Sequence, residues 1–134
     1  MDYKILDGAD KMKLDDIVAL LHTTYWAGTR TAEQIKTSVR NSDCYGVYLE
    51  DEGRLVGFAR VITDYATTYY LCDVVIDENY RRRGLGTALL SYVESRPAYA
   101  GLRGVLITRD AQSLYRKFGY DVLDGRAMVK GLNC

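Results

Sequence analysis

The apolar positions along the chain change period several times, and each change predicts an element. Tyr3 to Leu6 reads as a short first strand. From about Asp10 the residues Met12, Ile17, Leu20, Leu21 and Tyr25 recur at helical spacing, which predicts a first helix ending near Trp26-Ala27-Gly28 with Gly28 as its C′ residue. Thr31 followed by Gln34 has the form of a capping box, so a second short helix opens there and runs to about Asn41. From Cys44 the period becomes two. Cys44 to Glu50 and Leu55 to Thr63 are rich in β-branched and aromatic residues, with a DEGR turn between them, and Tyr69 to Ile76 follows a polar turn at Asp64 to Thr67. These three runs predict an antiparallel meander.

Behind the meander the chain reads YRRRGLGTALL from Tyr80 to Leu90, and a helix is expected from about Gly84 to Glu94 with Leu85, Ala88, Leu89, Tyr92 and Val93 on one face. Gly104 to Thr108 is apolar enough to be buried on both faces, as a parallel strand beside the last meander strand would be. Ala111 to Phe118 predicts a short helix closed by Gly119, and the tail from Asp121 to Gly131 breaks at Asp124-Gly125, a hairpin signal. A meander feeding a βαβ crossover gives an α+β fold, a three-layer α/β/α domain on a mixed, mostly antiparallel sheet. The sheet should splay where the strand before the glycines and the next parallel strand diverge. Backbone groups left without partners there are open to a ligand.

Composition narrows the classes. The 134 residues suit one domain, 1–134, with a real core. Lys+Arg and Asp+Glu balance at 18 each, so no global field points to nucleic acid or to an acidic membrane surface. The charged start and the lack of any apolar run near the roughly 20 residues that span a bilayer make a cytoplasmic location the expectation. Cys44, Cys72 and Cys134 share no metal-ligand spacing and His22 is the one histidine, so no metal is expected. The odd cysteine count fits a reducing compartment.

The chemistry is therefore local. Strand VVID, glycine loop and helix aim backbone N–H groups and the positive end of a helix at an anion. The loop lacks the lysine of a P-loop, and Leu89 stands where a dinucleotide fingerprint needs its third glycine. Arg81, Arg82 and Arg83 at the helix entry, the backbone of Gly84, Leu85 and Gly86, and Thr87 make phosphate binding the reading favoured over a plain tight turn.

Arg81-x-x-Gly84-x-Gly86 after VVID resembles motif A of the GCN5-related N-acetyltransferase (GNAT) superfamily, and LYRKFGY, Leu114 to Tyr120, resembles its second landmark, Leu-Tyr-x-Lys-x-Gly-Phe. The two fall in the family's order with GVLIT between them, and the element order is similar over essentially the whole chain. YWAGTR, GFARVITDYAT and TRDAQSLYRKFGY resemble a compact bacterial-type subgroup. The resemblance implies an acetyl-CoA-dependent N-acetyltransferase acting on a primary amine of a small molecule or protein by direct attack on the thioester, without a metal. It implies a pyrophosphate cradle from Arg82 to Thr87 and pairing of Val74, Val75 and Ile76 with pantetheine, with the Val75 N–H as the oxyanion donor. Tyr115 occupies the position of the tyrosine that protonates the departing thiolate, although a core tyrosine would show the same pattern. Thr108 stands where many relatives carry asparagine.

Asp73 interrupts an apolar strand, where a carboxylate is costly unless paired or useful. It is the first candidate for the base, or else a structural aspartate bonded to loop backbone. His22 ranks below it, and an acyl-thiol on Cys72 ranks lower still. The resemblance places the acceptor cleft at Tyr25, Trp26, Gly28 and Arg30 together with Asp64 and Tyr65. In that cleft Tyr25 and Trp26 suit an apolar or cationic group, or else they finish the core face of the first helix, and Arg30 suits a carboxylate. A homodimer is compatible with the exposed strand edges, and a non-catalytic acyl-CoA-binding module on the same fold is the rival reading.

Overall fold

A computed structural model of the chain describes residues 2–131, so Cys134 lies outside the described residues. The expected meander forms the centre of a five-stranded sheet of order β1-β2-β3-β4-β5: β1 Tyr3–Asp7, β2 Asp43–Leu49, β3 Arg54–Thr63, β4 Thr68–Ile76 and β5 Arg103–Val105. The first four pair antiparallel and β5 lies parallel to β4. Helices α1 (Leu14–Leu21) and α2 (Ala32–Arg40) cover one face, where Ile17, Leu21 and Ile35 bury against Phe58, Cys44 and Val75. On the other face α3 (Leu85–Glu94) sets Leu85, Leu89, Leu90 and Val93 on Val47, Val56, Val61 and Leu71. A last short helix, α4 (Gln112–Arg116), packs Leu114 and Tyr115 against that second cluster. The result is the three-layer α+β architecture that the element order implies.

The capping box forms as read: the Gln34 backbone N–H donates to Thr31 Oγ1 at 3.1 Å, and the Thr31 N–H donates to Gln34 Oε1 at 2.8 Å. Three expectations need correction. The first helix stops at Leu21, not near Gly28, because Thr23 and Thr24 turn their hydroxyls back onto the Leu20 and Leu21 carbonyls and close its end. Residues 22–31 are thereby released as a connection, with Ala27 buried beneath it. The fifth strand is three residues long rather than a fully buried Gly104 to Thr108, with Ile107 64% exposed. The turn at Asp124-Gly125 forms, Gly125 having φ 73°, but no strand flanks it among the described residues. Val122, Leu123, Met128 and Val129 are exposed there, and a strand pair with nothing to bury against is marginal in water.

The strand that matters most for the site carries an irregularity. Phe58 faces Val75 and Arg60 faces Cys72, so Asp73 and Val74 together oppose the single residue Ala59. This is a β-bulge, and Asp73 takes a positive φ of 54° within it. Side-chain parity flips across the bulge: Leu71 joins the α3 cluster, whereas Val75 joins the α1/α2 cluster. β5 pairs only with Thr68, Tyr69 and Tyr70, so beyond Tyr70 the two strands part and the outer edge of β4 is left open.

Close approach below the split holds the arms together. A Cβ on Gly104 would lie 2.7 Å from Tyr69 Oη and 2.9 Å from Tyr120 Oη. Gly104→Val should therefore cost about 1–3 kcal/mol by overpacking. Urea unfolding followed by circular dichroism measures the loss, and an unchanged midpoint would show that the arms do not depend on this contact.

Candidate active site

The open edge can be read group by group. The Asp77 N–H donates to the Val56 carbonyl at 2.7 Å, which makes Val56 and Asp77 a hydrogen-bonded pair of the β3·β4 ladder. Alternation then turns Val75 toward β3 as well, and directs the backbone N–H and C=O of Val74 and Ile76 to the unpaired side. The expected oxyanion donor, the Val75 N–H, thus belongs to the ladder, and the donor available at the edge next to the bulge is the N–H of Val74. The sequence could not show this, because one extra residue in the strand reverses the count. Ile76 offers its carbonyl outward and receives Arg81 Nε at 3.1 Å. Val74, Ile76, Tyr80, Leu106, Leu114 and Tyr115 are partly buried about this opening and give it apolar walls.

At its end the glycine loop enters α3. Gly84 caps the helix with φ 80°, a conformation that disfavours any side chain, and Arg82 before it also has positive φ at 64°. Nothing in the fold demands glycine at 86: a Cβ there would sit 3.7 Å from Ile76, an ordinary contact. The space belongs to the outside of the loop, where a ligand backbone can come close. The three arginines divide. Arg81 holds the Ile76 carbonyl, Arg83 lies over the Tyr80 ring at 5.3 Å, and the Arg82 guanidinium has no partner among the described residues. Leu85 is buried and brings only its backbone to the loop, while Thr87 stands in the first helical turn.

On the opposite arm, burial in the wall and the nearby Glu94 carboxylate push the Tyr115 phenol up to about 12. Its hydroxyl has no hydrogen-bond partner among the described residues. Such a group stays protonated at neutral pH and can give its proton to a departing anion. Its ring meets Tyr120 edge-on at 6.0 Å, and Tyr120 donates to Glu94 at 2.7 Å, with Tyr69 donating to the same carboxylate. The sequence places Glu94 at a helix end and Tyr120 at the end of LYRKFGY but gives no sign that they pair, because a separation of 26 residues leaves no local signal. Thr108, in the asparagine position, accepts the Ala111 N–H at 3.1 Å and so shapes the turn into α4.

Asp73 is the centre of the other side. Its side chain is 2% exposed. Arg60 Nε and Arg30 Nη1 both donate to Oδ2 at 2.8 Å, and Trp26 Nε1 donates to Oδ1 at 3.1 Å. Burial alone would raise the pKa of Asp73, but the Arg30 and Arg60 hydrogen bonds and charges outweigh it and hold the carboxyl below its ordinary value. Conversely burial would lower the pKa of Arg60, but the Asp73 charge and hydrogen bond, together with Cys72 and Cys44, outweigh it and raise the value. A carboxylate held by two guanidiniums and an indole is a poor proton acceptor, so the base expected at Asp73 becomes an anchor. Its partners also differ from the expected loop backbone. Burial raises the Cys72 thiol to about 11, which leaves it neutral and unsuited to accept an acyl group.

The expected acceptor residues are brought together in part. Trp26 and Arg30 meet on Asp73, so the carboxylate that Arg30 holds is the protein's own. Tyr25 stacks edge-on against Trp26 at 5.0 Å and lies beneath the Arg109 guanidinium at 3.9 Å. His22 fastens the connection by a 2.8 Å hydrogen bond to the Arg30 carbonyl. Tyr65 is directed elsewhere: it donates to Asp43, which also accepts from Tyr99 on the α3 face. Asp64 is occupied by Ala66, Thr67 and Thr68 in its own turn. Beyond Arg60 a groove of about 530 Å³ runs between α2 and β3 past Ser42 and Ile62. No helix among the described residues is long and apolar enough to cross a membrane.

Comparison with known proteins gives this geometry a family. The sequence model of the Acetyltransferase (GNAT) family matches residues 13–120. The chain is 29% identical over 136 aligned positions to a protein of Gibberella zeae whose name marks it as a candidate acetyltransferase, covering 87% of this chain and 77% of that one. A histone acetyltransferase of Glycine max is 29% identical over 86 positions, 63% of this chain and 36% of that protein. A crystal structure of a GNAT-family protein from Xanthomonas campestris superposes with a TM-score of 0.85 at 30% identity, covering 99% and 97% of the two chains.

Removing one member of a buried ion pair leaves the others uncompensated, so Asp73→Asn should cost about 3–5 kcal/mol. Because the folded pKa is lowered, the Asp73 contribution is complete above the unfolded value of about 3.9 and disappears as pH falls through the lower folded one. Urea titrations of both proteins from pH 7 to pH 3 should show a constant gap above pH 5 that narrows in acid. A gap that widens in acid contradicts the assignment.

Proposed function

Because the chain belongs to the GNAT acetyltransferase family and is an N-acetyltransferase by that membership, we propose that its donor is acetyl-CoA and that an acceptor amine attacks the thioester directly. The observation that carries this is the split between β4 and β5 beyond Tyr70, with the Val74 edge on one arm and the Tyr115 hydroxyl on the other. The residues present fit the coenzyme. The unpaired edge at Val74 and Ile76 offers a strand's hydrogen bonds to the pantetheine amides, and the loop from Arg82 to Thr87 offers backbone N–H groups and the end of α3 to the pyrophosphate. The room left at Gly86 admits it. Acetyl-CoA bound there supplies the activated acyl group.

The chain then has three tasks. The Val74 N–H is the donor available to negative charge developing on the acyl oxygen. Tyr115 Oη keeps its proton at neutral pH and delivers it to the leaving sulfur. The acceptor's proton passes to water, because Asp73 is committed to its arginines and Nε2 of His22 to the Arg30 carbonyl. The acceptor is a primary amine of a small molecule or protein. An acyl-CoA-binding module without turnover would need no unpartnered phenol on the arm opposite the open edge.

Tyr115→Phe should lower kcat by about 10²-fold, within the range of general acid catalysis, while the acetyl-CoA affinity stays within threefold. Initial rates from CoA release and calorimetry measure the two separately, and an unchanged kcat removes the acid role. Gly86→Glu should abolish CoA binding in a domain that still unfolds cooperatively. If the wild-type protein binds neither acetyl-CoA nor CoA at millimolar concentration by calorimetry, the proposed function fails.

A further inference from the structure

We propose that the acceptor amine also carries an anionic group, a carboxylate or a phosphate, and that Arg109 is the residue that meets it. This rests on the acetyl-transfer reading and names the substrate class of the same site. The face of β4 that Asp73 occupies is covered by residues 22–31, and the loop leading into α4 reaches the same place from the other arm. The charged groups there are Arg30, Arg60, Asp73, Arg109 and Asp110. Asp73 is buried and shared by two guanidiniums, so one positive charge stays uncompensated. Among the described residues no other carboxylate pairs with Arg30 or Arg60; Glu33 lines the groove beside Arg60 without an ion pair.

Arg109 adds a third guanidinium. It lies over the exposed Tyr25 ring, 3.9 Å from its centroid, and Tyr25 leans on Trp26, which donates to Asp73. The contact therefore straddles the split, from the loop on the β5 arm to the bulge on β4. Its nearest carboxylate, Asp110, stands 3.7 Å away with both side chains exposed, a pair weakened by water. No N–H of the Arg109 guanidinium has a hydrogen-bond partner among the described residues. The ring holds the guanidinium in place and leaves its donors open, and a guanidinium with free donors suits bidentate binding of an anion.

The excess charge has two effects on an incoming amine. It favours the neutral nucleophile over the ammonium ion, which assists attack. It also opposes binding of an acceptor whose only charge is positive, and polycations most of all. An acceptor that brings its own anion to Arg109 restores the balance. Lysine-rich tails and polyamines lack that anion.

The test uses the full chain with matched pairs: α-amino acids against their carboxamides, glucosamine 6-phosphate against glucosamine, and spermidine. CoA release gives rates, and fluorescence of Trp26, the only tryptophan in the chain, gives binding in the presence of CoA. The anionic member of at least one pair should show kcat/KM tenfold or more above its partner at equal free amine, and the pair that does so identifies carboxylate or phosphate. Arg109→Gln should erase that ratio through KM, while Tyr25→Phe, which keeps the ring, should preserve it. Equal or better use of the carboxamides, glucosamine or spermidine overturns the proposal, as does a ratio that survives Arg109→Gln. Saturable Trp26 responses to anionic amines that vanish in Arg109→Gln, with no CoA release from any amine, would support this site and sink acetyl transfer. No Trp26 response and no turnover with any anionic amine overturns this inference.

Discussion

Most of the acceptor side hangs on one buried carboxylate. Asp73 ties β3 through Arg60, the connection between α1 and α2 through Arg30 and Trp26, and its own strand through the bulge that turns it inward. A buried pair of this kind is weak as a source of net stability, since packed hydrophobic residues often do as well. Its value lies in direction. The connection of residues 22–31 has no regular structure to fix it, and two donors on one carboxylate set where it crosses the sheet. Arg60 extends the hold to Ser42 at 3.0 Å, joining the start of β2 to the same cluster.

The bulge that admits Asp73 also makes the donor side. Without the extra residue, the parity of β4 would carry Val74 toward α1 and α2 and set a different row of backbone groups at the edge. With it, Val74 and Ile76 face the opening, and their side chains pack toward the α3 cluster. The short β5 completes the arrangement by pairing with only three residues and then leaving. Tyr69, Glu94 and Tyr120 close the arms just below the split, and their hydrogen bonds hold α4, with Tyr115, at the cleft wall. Loss of strand pairing at one end is thus matched by a polar network at the other.

This division explains what the sequence could tell. Local chemistry was legible: the Thr31 capping box, the two-residue period of the meander, the glycine entry to α3 and the short helix around Tyr115 each depend on a few consecutive residues. The family motifs are of this kind too, so the donor side was readable. The bulge was not, because Asp73 and Val74 look like any two strand residues until Ala59 is seen opposite them, so the sequence alone places the edge-facing N–H at Val75 where the bulge sets it at Val74. Partners such as Arg30 and Asp73, 43 positions apart, leave no periodic trace. The apolar pattern of residues 10–25 failed for a related reason: Tyr25 keeps helical spacing by coincidence, while Thr23 and Thr24 end the helix before it.

The same long-range contacts decide how protons move. Asp73, buried, and Tyr115, partly buried, are both ionisable groups beside the cleft, yet their environments drive them in opposite directions. Tyr115 has apolar neighbours and a nearby carboxylate, so its neutral form is favoured and it remains a donor. Asp73 has two guanidiniums, so its charged form is favoured and its lone pairs are engaged. Neither group is poised near neutrality, and in the proposed reaction this asymmetry suits the protein to the leaving-group end. On that proposal, deprotonation of the amine depends on the field at the acceptor mouth rather than on one basic side chain. A local excess of positive charge lowers the proton affinity of every amine that enters, so under the proposed acceptor chemistry substrate charge and nucleophile activation are set by the same arginines.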